Sequence, residues 1–125
     1  MKIIGLIFFL LLCYNKSFSQ LKTDSTTTGT ASYYAQKFEG RKTASGEIFN
    51  HQKLTAAHKY LPFGTVVKVT NLSNDSTVIV MINDRLPTKS KRSIDLTKAA
   101  AIQLNFIKKG LTKVSIQILD SNKIE

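Results

Sequence analysis

Three ionisable side chains stand where a small domain is able to do acid–base chemistry. In Ile82-Asn83-Asp84-Arg85-Leu86-Pro87 an apolar run passes straight into an Asp-Arg pair and stops at a proline. A carboxyl at the end of a buried strand is partly desolvated, which raises its pKa and lets it keep a proton for general acid work. The Arg85 guanidinium acts in the opposite direction unless it points away, and a strand-terminating turn residue is the plainer reading of the same aspartate. Glu47, in the step Ser45-Gly46-Glu47, and His58, closing Thr55-Ala56-Ala57-His58, lie in the charged segment 40–62, which reads as neither ordinary strand nor helix. Segments of that kind, mounted on a rigid scaffold, are where sites concentrate. Each also has an ordinary alternative: a surface carboxylate for Glu47 and a locally hydrogen-bonded ring for His58.

Other chemistries are poorly served. His51 and His58 are seven apart with no cysteine nearby, a spacing that fits no familiar zinc site. A nucleophile elbow and a glycine-rich phosphate loop are both missing from the sequence. The sequence therefore calls for no metal and no cofactor. Tyr33, Tyr34, Phe38, Phe49, Tyr60 and Phe63 cluster near the polar positions, either as surfaces for stacking on sugar rings or as core.

The elements that must hold these residues are mostly strands. Thr65–Thr70 and Ser76–Ile82 are rich in β-branched residues and separated by Asn71-Leu72-Ser73-Asn74-Asp75, so they predict a hairpin. Thr30–Tyr34 is short and aromatic, Val114–Leu119 alternates apolar with polar, and Ile94–Leu96 supplies a further short strand. Thr97 is suited to cap a helix over Lys98–Asn105, and Gly110 closes that region. Several short strands in about ninety residues favour a closed barrel, because closure removes exposed edges.

The first residues predict export. Met1-Lys2 is followed by the apolar run Ile3–Cys13, too short to span a bilayer, and Ser17-Phe18-Ser19 offers small residues for cleavage before Gln20. Residues 1–19 are thus expected to be a signal peptide and 20–28 a flexible leader. The domain is expected over 29–120 and a tail over 121–125. Cys13 is the only cysteine, which excludes an intramolecular disulfide; Leu12 before it disfavours a lipid anchor. The formal charge of +10, less Lys2 and Lys16, leaves +8 on the processed chain. An exported basic protein meets anionic cell-wall polymers and lipid head groups rather than nucleic acid.

Four ordered blocks then resemble the rare lipoprotein A family of septal lytic transglycosylases. They are GTASYYAQKFEGRKTASGE from Gly29, LTAAHKYLPFGTVVKVTNL from Leu54, VMINDRLP from Val80 and SIDLTKAAA from Ser93. The resemblance implies a mainly β fold, a six-stranded double-psi β-barrel with one or two short helices. It implies Asp84 as the catalytic acid/base, accompanied by Glu47 and His58, with Tyr34, Arg85 and Asn83 contacting substrate. The implied reaction is lyase cleavage of the MurNAc–GlcNAc β-1,4 bond with 1,6-anhydroMurNAc ends. The implied partners are peptidoglycan glycan strands together with envelope or division proteins, and a monomeric chain is expected in the periplasm or cell envelope. The alternative the same barrel allows is an expansin-like module that binds polysaccharide without cleaving it. Leu86 stands where the family pattern has Gly, Tyr33 replaces a Trp, Ala35 a Gly and Glu39 a His.

Overall fold

The structure, a computed structural model, describes residues 25–119. The expected signal peptide, most of the leader and the tail lie outside the described residues. Among the described residues, six strands are β1 (Thr26–Tyr33), β2 (Thr55–His58), β3 (Val66–Asn71), β4 (Thr77–Arg85), β5 (Ile94–Leu96) and β6 (Thr112–Leu119). They close into a barrel in the order β1-β5-β2-β4-β3-β6. The pairs β1–β5 and β2–β4 run parallel, while β2–β5, β3–β4, β3–β6 and β1–β6 run antiparallel. Among the described residues, one helix, α1 (Lys98–Gln103), and a 3₁₀ turn at Gln36–Phe38 join the six strands. No helix among the described residues is long and apolar enough to cross a membrane.

The expected hairpin is β3–β4, where inward Val67, Val69, Val78, Val80 and Ile82 alternate with outward residues. Ile94, Leu96, Val114 and Ile116 complete the interior, and each such side chain, fully buried, stabilises the fold by about 1.5–3 kcal/mol. Helix α1 packs against β4 and β1, adding Ala100, Ala101 and the following Leu104 and Phe106 to that core. Thr97 caps it as expected, its hydroxyl accepting from the Ala100 N–H and donating to the Lys53 carbonyl at 2.5 Å. The helix ends two residues earlier than the pattern predicts, at Gln103, and Asn105 takes a left-handed φ of 56°.

Two expectations are corrected. Strand β1 begins at Thr26, inside the expected leader, because Thr26, Thr27 and Thr28 pair with Gln117, Ile116 and Ser115 of β6. The segment 40–62 also contains a strand, β2, buried along its whole length and paired on both sides, parallel to β4 and antiparallel to β5.

Candidate active-site cleft

The site begins with a break in the β4 alternation. Ala56 pairs with Ile82 but Ala57 pairs with Asp84, so Asn83 is an extra residue in a β-bulge. Ile82 points into the core beside Ala56, and strict alternation would send Asp84 after it. The bulge instead puts Asp84 on the face of Ala57, outside the barrel interior. Ala57 also pairs with Asp95 of β5, and Asp95 with Ser32 of β1. One row therefore crosses four strands as Asp84, Ala57, Asp95, Ser32. At about 4.8 Å per strand, the two aspartates stand roughly 10 Å apart at Cα with only an alanine between them.

Asp84, Ala57 and Asp95 of this row line an open cleft of about 560 Å³, together with Tyr34, Phe38, Arg41, Arg85 and Arg92 among others. Both oxygens of Asp84 are engaged. Its Oδ1 accepts from the N–H groups of Ala44 at 2.8 Å and Arg85 at 2.9 Å, and its Oδ2 accepts from the Tyr34 hydroxyl at 2.5 Å. Burial pushes the Tyr34 phenol far above its ordinary pKa, and the hydrogen bond to Asp84 and the charges of Asp84 and Asp95 add to it. Tyr34 is thus a fixed donor. Beneath it, Phe49, Ala57 and Leu86 form a second apolar cluster, with Phe49 at 4.2 Å between ring centroids. Leu86, which departs from the family pattern, packs in this cluster with Tyr34 and also lines the cleft.

Asp95 escaped the sequence analysis. Burial pushes its carboxyl pKa up; the Ser32 hydrogen bond and the Arg92 charge oppose this, Asp84 adds to it, and His51 opposes. Ser32 Oγ donates to Asp95 Oδ1 at 2.9 Å and accepts from Arg92 Nη1 at 2.9 Å. The available signal was an acid between Ile94 and Leu96, where a short buried strand has little reason to carry one.

The expected trio does not converge as side chains. Glu47 is exposed, receives a 3.4 Å hydrogen bond from Ser45 Oγ and does not line the cleft. Its turn matters through the backbone: Thr43 N–H donates to the Glu47 carbonyl, and Ser45 N–H to the Asn83 carbonyl, which docks Ala44 against Asp84. His58 is buried outside the lining, its Nδ1 accepting from the N–H groups of Tyr60 and Leu61. Burial lowers its pKa, and the charges of Arg85 and Lys59 lower it further, so the ring is neutral. Of the expected substrate contacts, Tyr34 and Arg85 line the cleft. Asn83 does not, and its buried Oδ1 has no hydrogen-bond partner among the described residues. His51 is a strut: Nδ1 accepts from Lys98 N–H, so the ring hydrogen sits on Nε2, 3.3 Å from the Ala35 carbonyl.

A closed six-stranded barrel with two parallel pairs, carrying a carboxylate cleft on the outer face of its sheet, is a double-psi β-barrel domain. The chain belongs to the lytic transglycolase family, whose sequence profile matches residues 26–116. It is 56% identical over 94 residues to a probable endolytic peptidoglycan transglycosylase RlpA of Treponema pallidum (strain Nichols), covering 75% of this chain and 30% of that relative. It is 53% identical over 91 residues to the endolytic peptidoglycan transglycosylase RlpA of Haemophilus influenzae (strain ATCC 51907 / DSM 11121 / KW20 / Rd), covering 73% and 32%. The chain thus spans about a third of the length of these two relatives. In fold it is similar to the apo expansin of Clavibacter michiganensis, with a TM-score of 0.62 and 20% identity over 78% of this chain and 52% of that one.

Proposed function

We propose that this barrel is a peptidoglycan lytic transglycosylase domain that cleaves the MurNAc–GlcNAc β-1,4 bond with Asp84 as general acid and then base. The observation that carries the proposal is the Asp84 carboxylate, held by three donors in an open cleft with a second carboxyl two strands away. Family membership and relatives named as peptidoglycan transglycosylases support it.

A single decisive carboxyl suffices for this reaction. The acid protonates the leaving glycosidic oxygen as the C1–O bond breaks. The sugar's own C6 hydroxyl then attacks C1, and its proton returns to the same carboxylate. The 1,6-anhydro ring closes without a nucleophilic water, whereas a hydrolytic glycosidase typically needs two carboxylates at a set distance. Tyr34 and the Ala44 and Arg85 N–H groups fix Asp84 in one orientation throughout. Asp95, whose carboxyl pKa burial pushes up, is a second titratable group in the same cleft. Glu47 and His58 are positioning residues: one closes the turn that presents Ala44, and the carbonyl of the other holds Arg85 Nη1 at 3.0 Å. Peptidoglycan lies outside the cytoplasmic membrane, in keeping with the export signal expected in residues 1–19.

The test is mass spectrometry of purified sacculi, preferably peptide-stripped, after incubation with the protein. Anhydro-ended products with the wild type and their loss in Asp84→Asn are expected. Full yield from Asp84→Asn overturns the assignment of Asp84. Retention on sacculi that survives Asp84→Asn, without product from either protein, would indicate the binding module instead.

A further inference from the structure

The cleft carries more positive charge than a neutral sugar chain requires. Arg41, Lys42, Arg85 and Arg92 all line it, and none forms an ion pair with a carboxylate among the described residues. This is unexpected beside two aspartates. Arg92 meets Asp95 only through the Ser32 hydroxyl, using one of its five N–H donors. Arg85 is the occupied member. Its Nη1 donates to the His58 and Asp84 carbonyls, and its guanidinium lies 4.3 Å over the Phe63 ring. Arg41 is exposed and rests 5.5 Å over the Phe38 ring; among the described residues it makes no side-chain hydrogen bond, and the exposed Lys42 ammonium has no partner.

A guanidinium seated against a ring keeps its edge donors open, in the fork geometry that matches a carboxylate. Cations gathered in a concave wall also focus their field on whatever enters. We infer that the cleft reads a carboxylate carried by the glycan, with Arg41 and Arg92 as the specificity-determining residues and Lys42 adding charge. This rests on the glycan-cleaving reading of the same cleft. One ligand chemistry has two sources here: the lactyl carboxylate of the muramyl sugar itself, or the carboxylates of an attached peptide stem.

Calorimetric titration of the Asp84→Asn chain, which keeps ligand uncleaved, against four tetrasaccharides tests the inference. They are alternating GlcNAc–MurNAc with free lactyl carboxylates, the same saccharide capped as methylamides, the same carrying peptide stems, and a GlcNAc tetramer. At low salt a carboxylate-bearing ligand is expected to bind about tenfold or more tighter than both neutral ones. Arg41→Gln and Arg92→Gln should each collapse that gap, and Arg41, with no hydrogen bond to lose, tests it free of any change at Ser32. Preference for the free lactyl form names the sugar as the source, and preference for the stem-bearing form names the peptide. Equal affinity for all four overturns the inference and leaves the glycan reading standing. No binding by any ligand, together with no anhydro product from sacculi, overturns the glycan reading and the inference with it.

Discussion

The Tyr34 hydroxyl donates a 2.5 Å hydrogen bond to Asp84 Oδ2, tying the residue after β1 to the end of β4. Because burial and two nearby carboxylates keep the phenol protonated, the donor is present throughout the neutral range. Tyr34→Phe keeps the ring against Phe49 and Leu86 and removes only the hydroxyl. Stability should change by less than about 1.5 kcal/mol. The rate of anhydro-product release should fall by about tenfold to a hundredfold, in kcat more than in KM. Steady-state kinetics with unfolding curves check both, and an unchanged kcat would show that Asp84 is not held for catalysis by this bond.

Asp95 makes stability depend on pH in a definite direction. Its folded pKa is raised from 3.8, chiefly by burial, so the folded chain holds this proton more tightly than the unfolded one. Its contribution is full below 3.8 and is lost as pH rises through the folded value. Asp95→Asn removes the ionisation. The variant should gain stability relative to wild type between about pH 4 and pH 7, as read by urea unfolding at both values. A constant difference across that range would contradict the burial of a titrating carboxyl at this position.

His58 gives the opposite sign. Burial and the charges of Arg85 and Lys59 depress its folded pKa below 6.5, so its contribution is present above 6.5 and is lost as pH falls through the folded value. Unfolding midpoints of the wild type should therefore decline on the acid side of neutrality. His58→Gln should flatten that decline, because the amide oxygen has no proton to take up there. His58→Ala leaves the Tyr60 and Leu61 N–H groups without their acceptor and should cost about 1–3 kcal/mol at neutral pH.

What the sequence revealed follows from which signals are local. The β3–β4 hairpin was legible because one face is buried and the other wet, which imposes a period of two. Strand β2 was not: all four residues are buried, so nothing alternates, and two are alanines with little β preference. Its strand state is fixed by pairing with β4 and β5, which no local pattern reports. Asp84 was legible by type and by its place at a strand end. Its direction was not, because alternation from Val80 and Ile82 points it inward and only the bulge at Asn83 turns it out. Asp95 was hidden in a three-residue strand, and its meeting with Asp84 across Ala57 is a product of barrel closure. Glu47 and His58 were found as residue types, yet the structure employs the Glu47 carbonyl and the His58 ring and carbonyl to position the backbone.

Leu86 offers the most direct link between packing and the site. It is 6% exposed and packs in the small cluster with Tyr34, Phe49 and Ala57, and its N–H donates to the His58 carbonyl at 3.3 Å. Leu86→Ala keeps that backbone bond but leaves a void in the cluster that includes the tyrosine, at a cost of about 2–4 kcal/mol by urea unfolding. If the cluster merely adds stability, activity measured well below the unfolding transition should stay near wild type. If it sets the Tyr34 ring against Asp84, kcat should fall although the protein is folded, and Leu86→Met, which nearly conserves volume, should restore most of both losses. We expect the second pattern, because the cluster includes the tyrosine that holds the carboxylate. An Ala variant with full kcat would separate the packing of this cluster from the chemistry of the cleft.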